Sequence, residues 1–212
     1  MSQPCDRSAC VAAPGPVDKS LGEFWVENPW EIVAMGHNLS CFERDRTWLN
    51  ASGKDFLDVS FLAGMDNEGD GRCVVAGDLR GNGRLEVLVR QTGGGPLLLF
   101  ENNFPQRNYL RVSLRGRSSN RLGIGARLTA LVGKQQLVRE LYPLNSFRSQ
   151  TPSDVHFGLG EAGRVDQLEI RWPSGKTQVL KDIPANAHIV VDEDRHGPGA
   201  IETVVPGRVF RP

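Results

Sequence analysis

An alternation of apolar and polar side chains in the second half of the chain restricts its fold more than any other feature. Leu110, Val112 and Leu114 alternate with polar residues, and the pattern returns at Leu168 and Ile170. A period of two places successive side chains on opposite faces of a strand, so that one face is buried and the other meets solvent. The pattern therefore predicts antiparallel sheets with one polar face.

Seven segments in this half have the length and residue types of such strands. They lie near 109–114, 126–132, 135–141, 155–158, 167–172, 176–180 and 188–192. Turn residues such as Pro173, Ser174 and Gly175 separate the apolar runs. No segment has a helical period, so we predict an all-β fold with a C-terminal antiparallel β-sandwich or open barrel.

Paired glycines flank the central strands of this predicted sandwich. They are Gly123, Gly125, Gly158 and Gly160. Glycine adopts positive φ angles and allows close backbone approach because it has no Cβ. We expect one of these two requirements at each of the four positions.

The composition agrees with a turn-rich β protein. The 212 residues include 24 Gly and 13 Pro, with 7% aromatic side chains, which favours strands and turns over a helical bundle. Lys+Arg and Asp+Glu both number 25, so electrostatics gives no reason to expect binding to nucleic acid or to an anionic membrane. No apolar run approaches the roughly 20 residues of a membrane-spanning helix.

The N-terminal region offers less information. Residues 1–20 read as an irregular tail without the basic and apolar regions of a signal peptide. Cys5 and Cys10 in this tail lack the second cysteine pair or nearby histidine of a zinc site. Cys41 and Cys73 would either form a disulfide in an oxidising compartment or remain free thiols, and the sequence leaves both alternatives open.

Two acidic loops follow this region. The first contains Asp66, Glu68 and Asp70 just before a glycine, and the second extends from Asp78 to Glu86. Carboxylates at alternate positions before a sharp turn can direct their oxygen atoms toward one point. Calcium requires six to eight oxygen ligands, so Asp66, Glu68 and Asp70 are candidate ligands.

The second loop resembles the calcium-binding loop of FG-GAP/VCBS-type β-propeller repeats, D-x-D/N-x-D/N-G-x-x-D. Here the segment reads Asp-Leu-Arg-Gly-Asn-Gly-Arg-Leu-Glu over positions 78–86. The resemblance implies that Asp78, Asn82 and Glu86 bind Ca²⁺ with their side chains and Arg84 with its carbonyl. Arg80 departs from the pattern, because a cation stands where an oxygen ligand is expected. The alternatives are a metal-free loop between strands or an arginine that replaces the ion.

The remainder of the chain resembles the ASPIC/UnbV family. The resemblance rests on motifs in the family's order: Asn108-Tyr109-Leu110-Arg111-Val112, Asn120-Arg121, Gly125-Ala126-Arg127, Arg139-Glu140, Ser149-Gln150, His156-Phe157-Gly158-Leu159-Gly160, Val165-Asp166 and Trp172-Pro173-Ser174-Gly175. The family is associated with secreted or cell-surface proteins and with interactions. The resemblance therefore implies an extracellular or cell-envelope binding role, and it implies no catalytic activity.

Together the two resemblances predict a domain order. Residues 1–20 are a tail, 21–105 a region of partial propeller-like blades, 106–194 an ASPIC/UnbV-like domain and 195–212 a second tail. The second tail has an edge strand near Ile201 to Val205. Because 21–105 is too short to close a propeller, we expect unpaired strand edges and association with another chain or a second copy.

Three motifs that suggest enzymes lack their structural context. Gly158 to Gly163 satisfies G-x-G-x-x-G, but the chain continues into a predicted strand instead of the helix that a dinucleotide site needs. Lys176 and Thr177 resemble the end of a phosphate-binding loop whose first glycine is missing. His156 lies between two apolar residues without a nucleophile motif, so we interpret it as a hydrogen-bonded structural side chain.

Our functional prediction is a non-enzymatic binding or adhesion module for a protein or glycan partner. An arginine-bearing face is the candidate binding surface, with Arg121, Arg127, Arg139 and Arg171; the alternative is a solvated sheet face. An accessory scaffold of a biosynthetic or carbohydrate-processing assembly is the second interpretation. A hydrolase that uses the acidic loops is the third, and it would require those carboxylates to converge with a histidine.

Overall fold

The computed structural model describes residues 20, 44–51, 53–67, 69, 71–91 and 96–204. The chain forms two compact units. The N-terminal unit comprises Met1–Val74 and Leu88–Phe100, and the C-terminal unit comprises Val75–Val87 and Glu101–Pro212.

Thirteen strands are present in the described part of the chain. In order they are β1 Trp48–Asn50, β2 Phe56–Asp58, β3 Gly71–Gly77, β4 Glu86–Gln91, β5 Leu97–Phe100, β6 Asn108–Arg115, β7 Arg127–Val132, β8 Gln135–Glu140, β9 Asp154–Gly160, β10 Arg164–Arg171, β11 Thr177–Pro184, β12 Ala187–Asp192 and β13 Ile201–Thr203. The described residues contain no α-helix, and their longest helical element is a short 3₁₀ turn at Gly197–Ala200. The all-β prediction is confirmed.

The C-terminal unit is built on two four-stranded sheets. One sheet has the order β11-β10-β7-β8, and the other has the order β13-β12-β6-β9. Their inward side chains form one apolar cluster, which includes Leu110 of β6, Leu128 of β7, Phe157 of β9 and Ile170 of β10. These four side chains are fully buried, and each removes apolar surface from water at about 25 cal/mol per Å². The sheets therefore pack face to face as a sandwich.

The seven strands predicted for this half correspond to β6–β12. The edge strand expected near residue 201 is β13, which pairs antiparallel with β12. One pair of neighbours, β6 and β12, is parallel, although the remaining pairs in the two sheets are antiparallel. Strands β8, β11, β9 and β13 end the two sheets. Association through such edges stays a prediction.

The N-terminal unit contains smaller sheets. Strands β1 and β2 form a two-stranded antiparallel pair, and the Ser60 hydroxyl that follows it accepts a hydrogen bond from the Thr47 backbone N–H at 2.8 Å. Strands β3, β4 and β5 form a three-stranded sheet, of which β3 and β4 extend into both units. Cys73 on β3 is half-buried and has no disulfide partner among the described residues. The alternative partner, Cys41, and both tail cysteines lie outside the described residues.

The glycine prediction is correct at three of the four positions. Gly123, Gly125 and Gly160 have positive φ angles of 67°, 95° and 62°. A Cβ at Gly123 would also lie 2.8 Å from Cβ of Leu114. At Gly158 the prediction is wrong, because its φ angle is not positive and a Cβ would meet open space.

Candidate functional sites

The loop over residues 78–86, which we term the acidic loop, is closed by its own side chains. The two carboxylate oxygens of Asp78 accept hydrogen bonds from the backbone N–H groups of Asn82 and Gly83, at 2.9 and 2.8 Å. Oδ1 of Asn82 accepts from the N–H of Arg84 at 2.9 Å. Oε2 of Glu86 accepts from the N–H of Leu79 at 2.9 Å. Local side chain to backbone bonds of this type hold a turn without further partners.

The acidic loop lies against the outer face of the β6–β9 pair. The carbonyl oxygen of Gly83 is 3.0 Å from Nε2 of His156, and the His156 ring stacks on Tyr109 with a centroid distance of 5.8 Å. A Cβ at Gly83 would clash with the Tyr109 ring. Gln106 adds a hydrogen bond from Nε2 to the carbonyl of Asn82 at 2.7 Å. This glycine is therefore required for close approach, and His156 has the structural role that we expected.

The guanidinium of Arg80 does not replace an ion within the loop. It forms a salt bridge with Glu101. Its positive charge therefore does not compensate the negative charges of Asp78 and Glu86 within the loop. Glu86 is only 3% exposed. Its second carboxylate oxygen has no hydrogen bond to any described residue. This oxygen is not fully buried, so water or a cation can complete its hydrogen bonding.

The first acidic loop, which contains Asp66, Glu68 and Asp70, differs from the loop over residues 78–86. Asp66 forms a salt bridge with Arg44 at 2.8 Å, and Glu68 and Asp70 lie outside the described residues. Over the part of the chain that the structure describes, no three His, Cys, Asp or Glu side chains cluster as a metal site would require. The acidic loop would contribute four groups, Asp78, Asn82, Glu86 and the Arg84 carbonyl, and if each binds through one oxygen they fall short of the six to eight oxygens that calcium takes. Solvent would have to supply the others.

A pocket of about 210 Å³ opens beside the acidic loop in the C-terminal unit. Its polar lining consists of Asp78, Arg111, Thr151, Asp154 and His156, and its other lining residues are Ala76, Gly77, Leu85 and Pro152. Asp78 is thus the one candidate carboxylate that we find beside a histidine among the described residues. Its oxygens, however, are engaged by the loop backbone.

Two histidines flank Arg111 on the outer face of this sheet. The β6–β9 and β6–β12 registers place His156 and His188 directly opposite Arg111 on either side. Burial lowers the pKa of both imidazoles, and for His188 the nearby Arg111 charge lowers it further. Nε2 of His188 lies 2.8 Å from the Ser113 hydroxyl. Both rings are therefore held in their neutral form near neutral pH.

The other sheet carries part of the predicted arginine face. Arg127 of β7 lies directly opposite Arg171 of β10 and, on its other side, opposite Glu140 of β8. Arg127 and Glu140 approach to 3.6 Å and are both more than half exposed, so their interaction contributes little. Within the described residues, Arg171 has no hydrogen-bond or ion-pair partner. Like charges directly opposite on a sheet repel each other.

The remaining predicted arginines lie elsewhere. Arg139 is opposite Leu128 in the β7–β8 register, so it lies on the inward side of the edge strand, with its guanidinium 5.8 Å from the Phe157 ring centroid. Arg121 is exposed in the loop that precedes β7. Strand alternation explains the separation, since Arg139 and Glu140 are adjacent and point to opposite faces.

A carboxylate that no sequence pattern indicates joins three separate segments. Glu193 is 3% exposed, and its Oε2 accepts hydrogen bonds from three consecutive backbone N–H groups at 117–119. Its Oε1 accepts from the hydroxyls of Ser119 and Ser174, at 2.9 and 2.6 Å. Burial alone would raise the pKa of this carboxyl, but the five hydrogen bonds outweigh it and lower the pKa to about 2.

Neighbouring residues extend this arrangement, which we term the Glu193 latch. Asp192 is 4% exposed and accepts a hydrogen bond from Arg117 at 2.8 Å, which lowers the pKa of its carboxyl. Trp172 donates its indole N–H to Gln178 at 3.0 Å. Ser174 and Trp172 belong to the Trp172–Gly175 motif, but no sequence pattern indicates Glu193 as the partner of Ser174 or Gln178 as the partner of Trp172.

A known family matches the part of the chain that contains the Glu193 latch. Among the described residues, no helix is long and apolar enough to cross a membrane. A search of curated proteins returns no match to the chain. The predicted FG-GAP/VCBS repeat lies upstream of the matched region and stays a prediction. Residues 116–198, which contain β7–β12 and the Glu193 latch, match the ASPIC and UnbV family.

Proposed function

We propose that this protein is a non-enzymatic binding module that recognises an anionic partner, a glycan or an acidic protein segment, through the outer face of the β11-β10-β7-β8 sheet. One observation supports this proposal above all others. Arg127 and Arg171 lie directly opposite each other, and the described residues compensate this pair of like charges with one exposed carboxylate at 3.6 Å. An anion placed between the guanidinium groups would relieve their repulsion and form charge-assisted hydrogen bonds.

The surroundings of the two arginines suit a binding surface. The next outward row of the sheet contains Val179, Glu169 and Thr129 in register. Val179 is 44% exposed, and Leu131 of the following row is 39% exposed. Exposed aliphatic groups beside charged ones are typical of interfaces in which polar contacts determine the partner.

A binding role also accounts for the polar groups of the opposite sheet better than catalysis does. The carboxylate of Asp154 is bound to Arg111, with Nε at 2.7 Å from Oδ2. His156 is bound to the Gly83 carbonyl and burial lowers its pKa. These groups position the acidic loop and the strands. A hydrolase would instead need a nucleophile or general acid with a free reacting atom.

The proposal predicts that Arg171→Glu weakens binding of the full chain to dextran sulfate by roughly tenfold or more at physiological salt, because one attractive charge becomes repulsive. Poly-glutamate serves as the protein-like probe in a parallel titration. Both affinities are measured by isothermal titration calorimetry.

The matched control is Arg164→Glu, which reverses a charge on the same strand. Arg164 is 64% exposed and already faces Asp166 and Asp182. Arg164→Glu should change the affinities for dextran sulfate and poly-glutamate by less than about twofold. Equal losses in the two variants would reduce the effect to net charge and would contradict the proposed surface.

Calcium stabilisation of the acidic loop is a second proposal. The observation that favours it is Glu86, a buried carboxylate with one hydrogen bond in the described part of the chain. The ion would act on the fold by neutralising Glu86 and Asp78. We propose no chemical step for it.

A further inference from the structure

The pocket beside the acidic loop has polar and apolar walls. Arg111 and Asp154 form one wall, with side chains 21% and 15% exposed, and His156 adjoins them. Leu85 and Pro152 contribute aliphatic surface. Small-ligand sites combine such apolar surface with a few convergent polar groups. This pocket contains both within one unit of the chain.

The ion pair in this wall leaves hydrogen-bonding capacity for a ligand. Both Nε and Nη2 of Arg111 donate to the same oxygen, Oδ2 of Asp154, at 2.7 and 2.5 Å. Neither Oδ1 of Asp154 nor Nη1 of Arg111 has a hydrogen bond to any described residue. This wall therefore contains a strong acceptor and a strong donor that no described residue uses.

His156 adds a further acceptor. Its Nε2 faces the Gly83 carbonyl at 3.0 Å, and a carbonyl can only accept, so Nε2 carries the proton. Because burial lowers the pKa of this imidazole, the ring is neutral near pH 7. Nδ1 is then an acceptor without a hydrogen-bond partner in the described part of the chain.

The charge state of the wall argues for a neutral ligand. A carboxylate or phosphate ligand would compete with Asp154 for Arg111, and an ammonium ligand would compete with Arg111 for Asp154. Either exchange would separate a largely buried ion pair, which is strongly unfavourable. Hydroxyl groups can instead bind the unused atoms while the pair stays intact, since each hydroxyl both donates and accepts.

The volume limits the ligand to one small ring. About 210 Å³ is below the roughly 300–1,000 Å³ of pockets for drug-sized ligands. A neutral sugar ring satisfies the chemical requirement as well, because adjacent hydroxyls form one edge and C–H groups form its faces. We infer that this pocket binds one neutral hexose unit of a glycan, with vicinal hydroxyls on Asp154 and Arg111 and a ring face against Leu85 and Pro152.

The test is saturation-transfer NMR on the full chain with methyl glucoside, methyl galactoside and methyl mannoside as separate probes. We expect saturation transfer to at least one of them. Ala76→Leu, which adds three carbons to a lining residue, should weaken that binding by roughly tenfold. The matched control is Thr203→Leu, which enlarges an exposed side chain on β13 and should leave binding unchanged.

If Ala76→Leu fails to fold, as judged by thermal unfolding, Leu85→Phe fills the pocket from another lining position. Absence of transfer to all three hexosides would overturn the inference, as would binding that survives a folded pocket-filling variant. The outcome is distinct from that of the proposed anionic surface. Dextran sulfate binding should respond to Arg171→Glu and remain unchanged in Ala76→Leu, so either proposal can fail alone.

Discussion

Glu193 shows how one residue joins segments that are distant in the chain. Its carboxylate receives three backbone N–H groups and two hydroxyls, so it connects the end of β12 with the loop after β6 and the turn between β10 and β11. Hydrogen bonds to a charged acceptor are about twice as strong as neutral ones. Loss of the charge would leave several donors without an adequate partner.

We predict that Glu193→Gln lowers the free energy of unfolding by about 2–4 kcal/mol, because the amide offers one acceptor oxygen and presents an N–H₂ group to donors. Chemical denaturation at pH 7 measures the change. Glu161→Gln is the control, since Glu161 is 82% exposed, and it should change stability by less than about 0.5 kcal/mol.

The pH dependence provides a separate expectation. The folded pKa of Glu193, about 2, is below its usual value of 4.5, so its contribution is complete above pH 4.5 and is lost as the pH falls toward 2. The shift corresponds to about 3 kcal/mol. The difference in stability between the native chain and Glu193→Gln should shrink over this interval. A constant difference from pH 7 to pH 2 would show that the charge is not what stabilises the latch.

At this scale the sequence predicts side-chain direction better than side-chain partners. His156 lies on the outer face, as its position between the apolar Val155 and Phe157 requires, because alternation depends only on local backbone geometry. The partner of His156 is 73 residues away, and the partners of Glu193 are up to 76 residues away. Such contacts follow from the packing of whole strands, which no short pattern encodes.

Among the elements, the strands of the C-terminal unit were predictable, and their pairing was less so. Each segment expected from alternation is a strand. The parallel alignment of β6 and β12 was not foreseen, because the same alternation suits both orientations when one face is buried. The sequence likewise did not indicate that the acidic loop approaches Tyr109. The only related feature was Gly83, a glycine within a polar turn.

The calcium prediction concerns the acidic loop. We expect calcium to raise the thermal midpoint of the native chain by several degrees relative to chelator, since ligand at 100 times its dissociation constant adds about 2.7 kcal/mol. Asp78→Ala should remove this increase. The variant should also unfold at lower temperature in chelator, because the N–H groups of Asn82 and Gly83 lose their acceptors.

The control for calcium is Asp66→Ala, a substitution in the first acidic loop. Asp66 pairs with Arg44 and should not affect the calcium response. If the increase disappears in Asp66→Ala and persists in Asp78→Ala, the ion belongs to the first loop. No calcium response in the native chain would mean that Glu86 is completed by water and that the acidic loop is purely structural.

For the whole molecule, the family match and the structure cover overlapping but unequal regions. The match extends over residues 116–198, whereas the sandwich also requires β6, which lies at the centre of its sheet between β12 and β9. The sandwich presents two different outer faces, one with the Arg127 and Arg171 pair and one with the pocket. A binding module with one site for an anionic partner and another for a neutral sugar is consistent with these two faces.

The most direct test of the proposed binding role is a chemical-shift map of the isotopically labelled full chain on addition of dextran sulfate. We predict that the largest backbone amide shifts fall in β7 and β10 around Arg127 and Arg171, and that the pocket residues around His156 remain unchanged. Shifts centred elsewhere, or spread evenly over all exposed arginines, would contradict recognition through this sheet face.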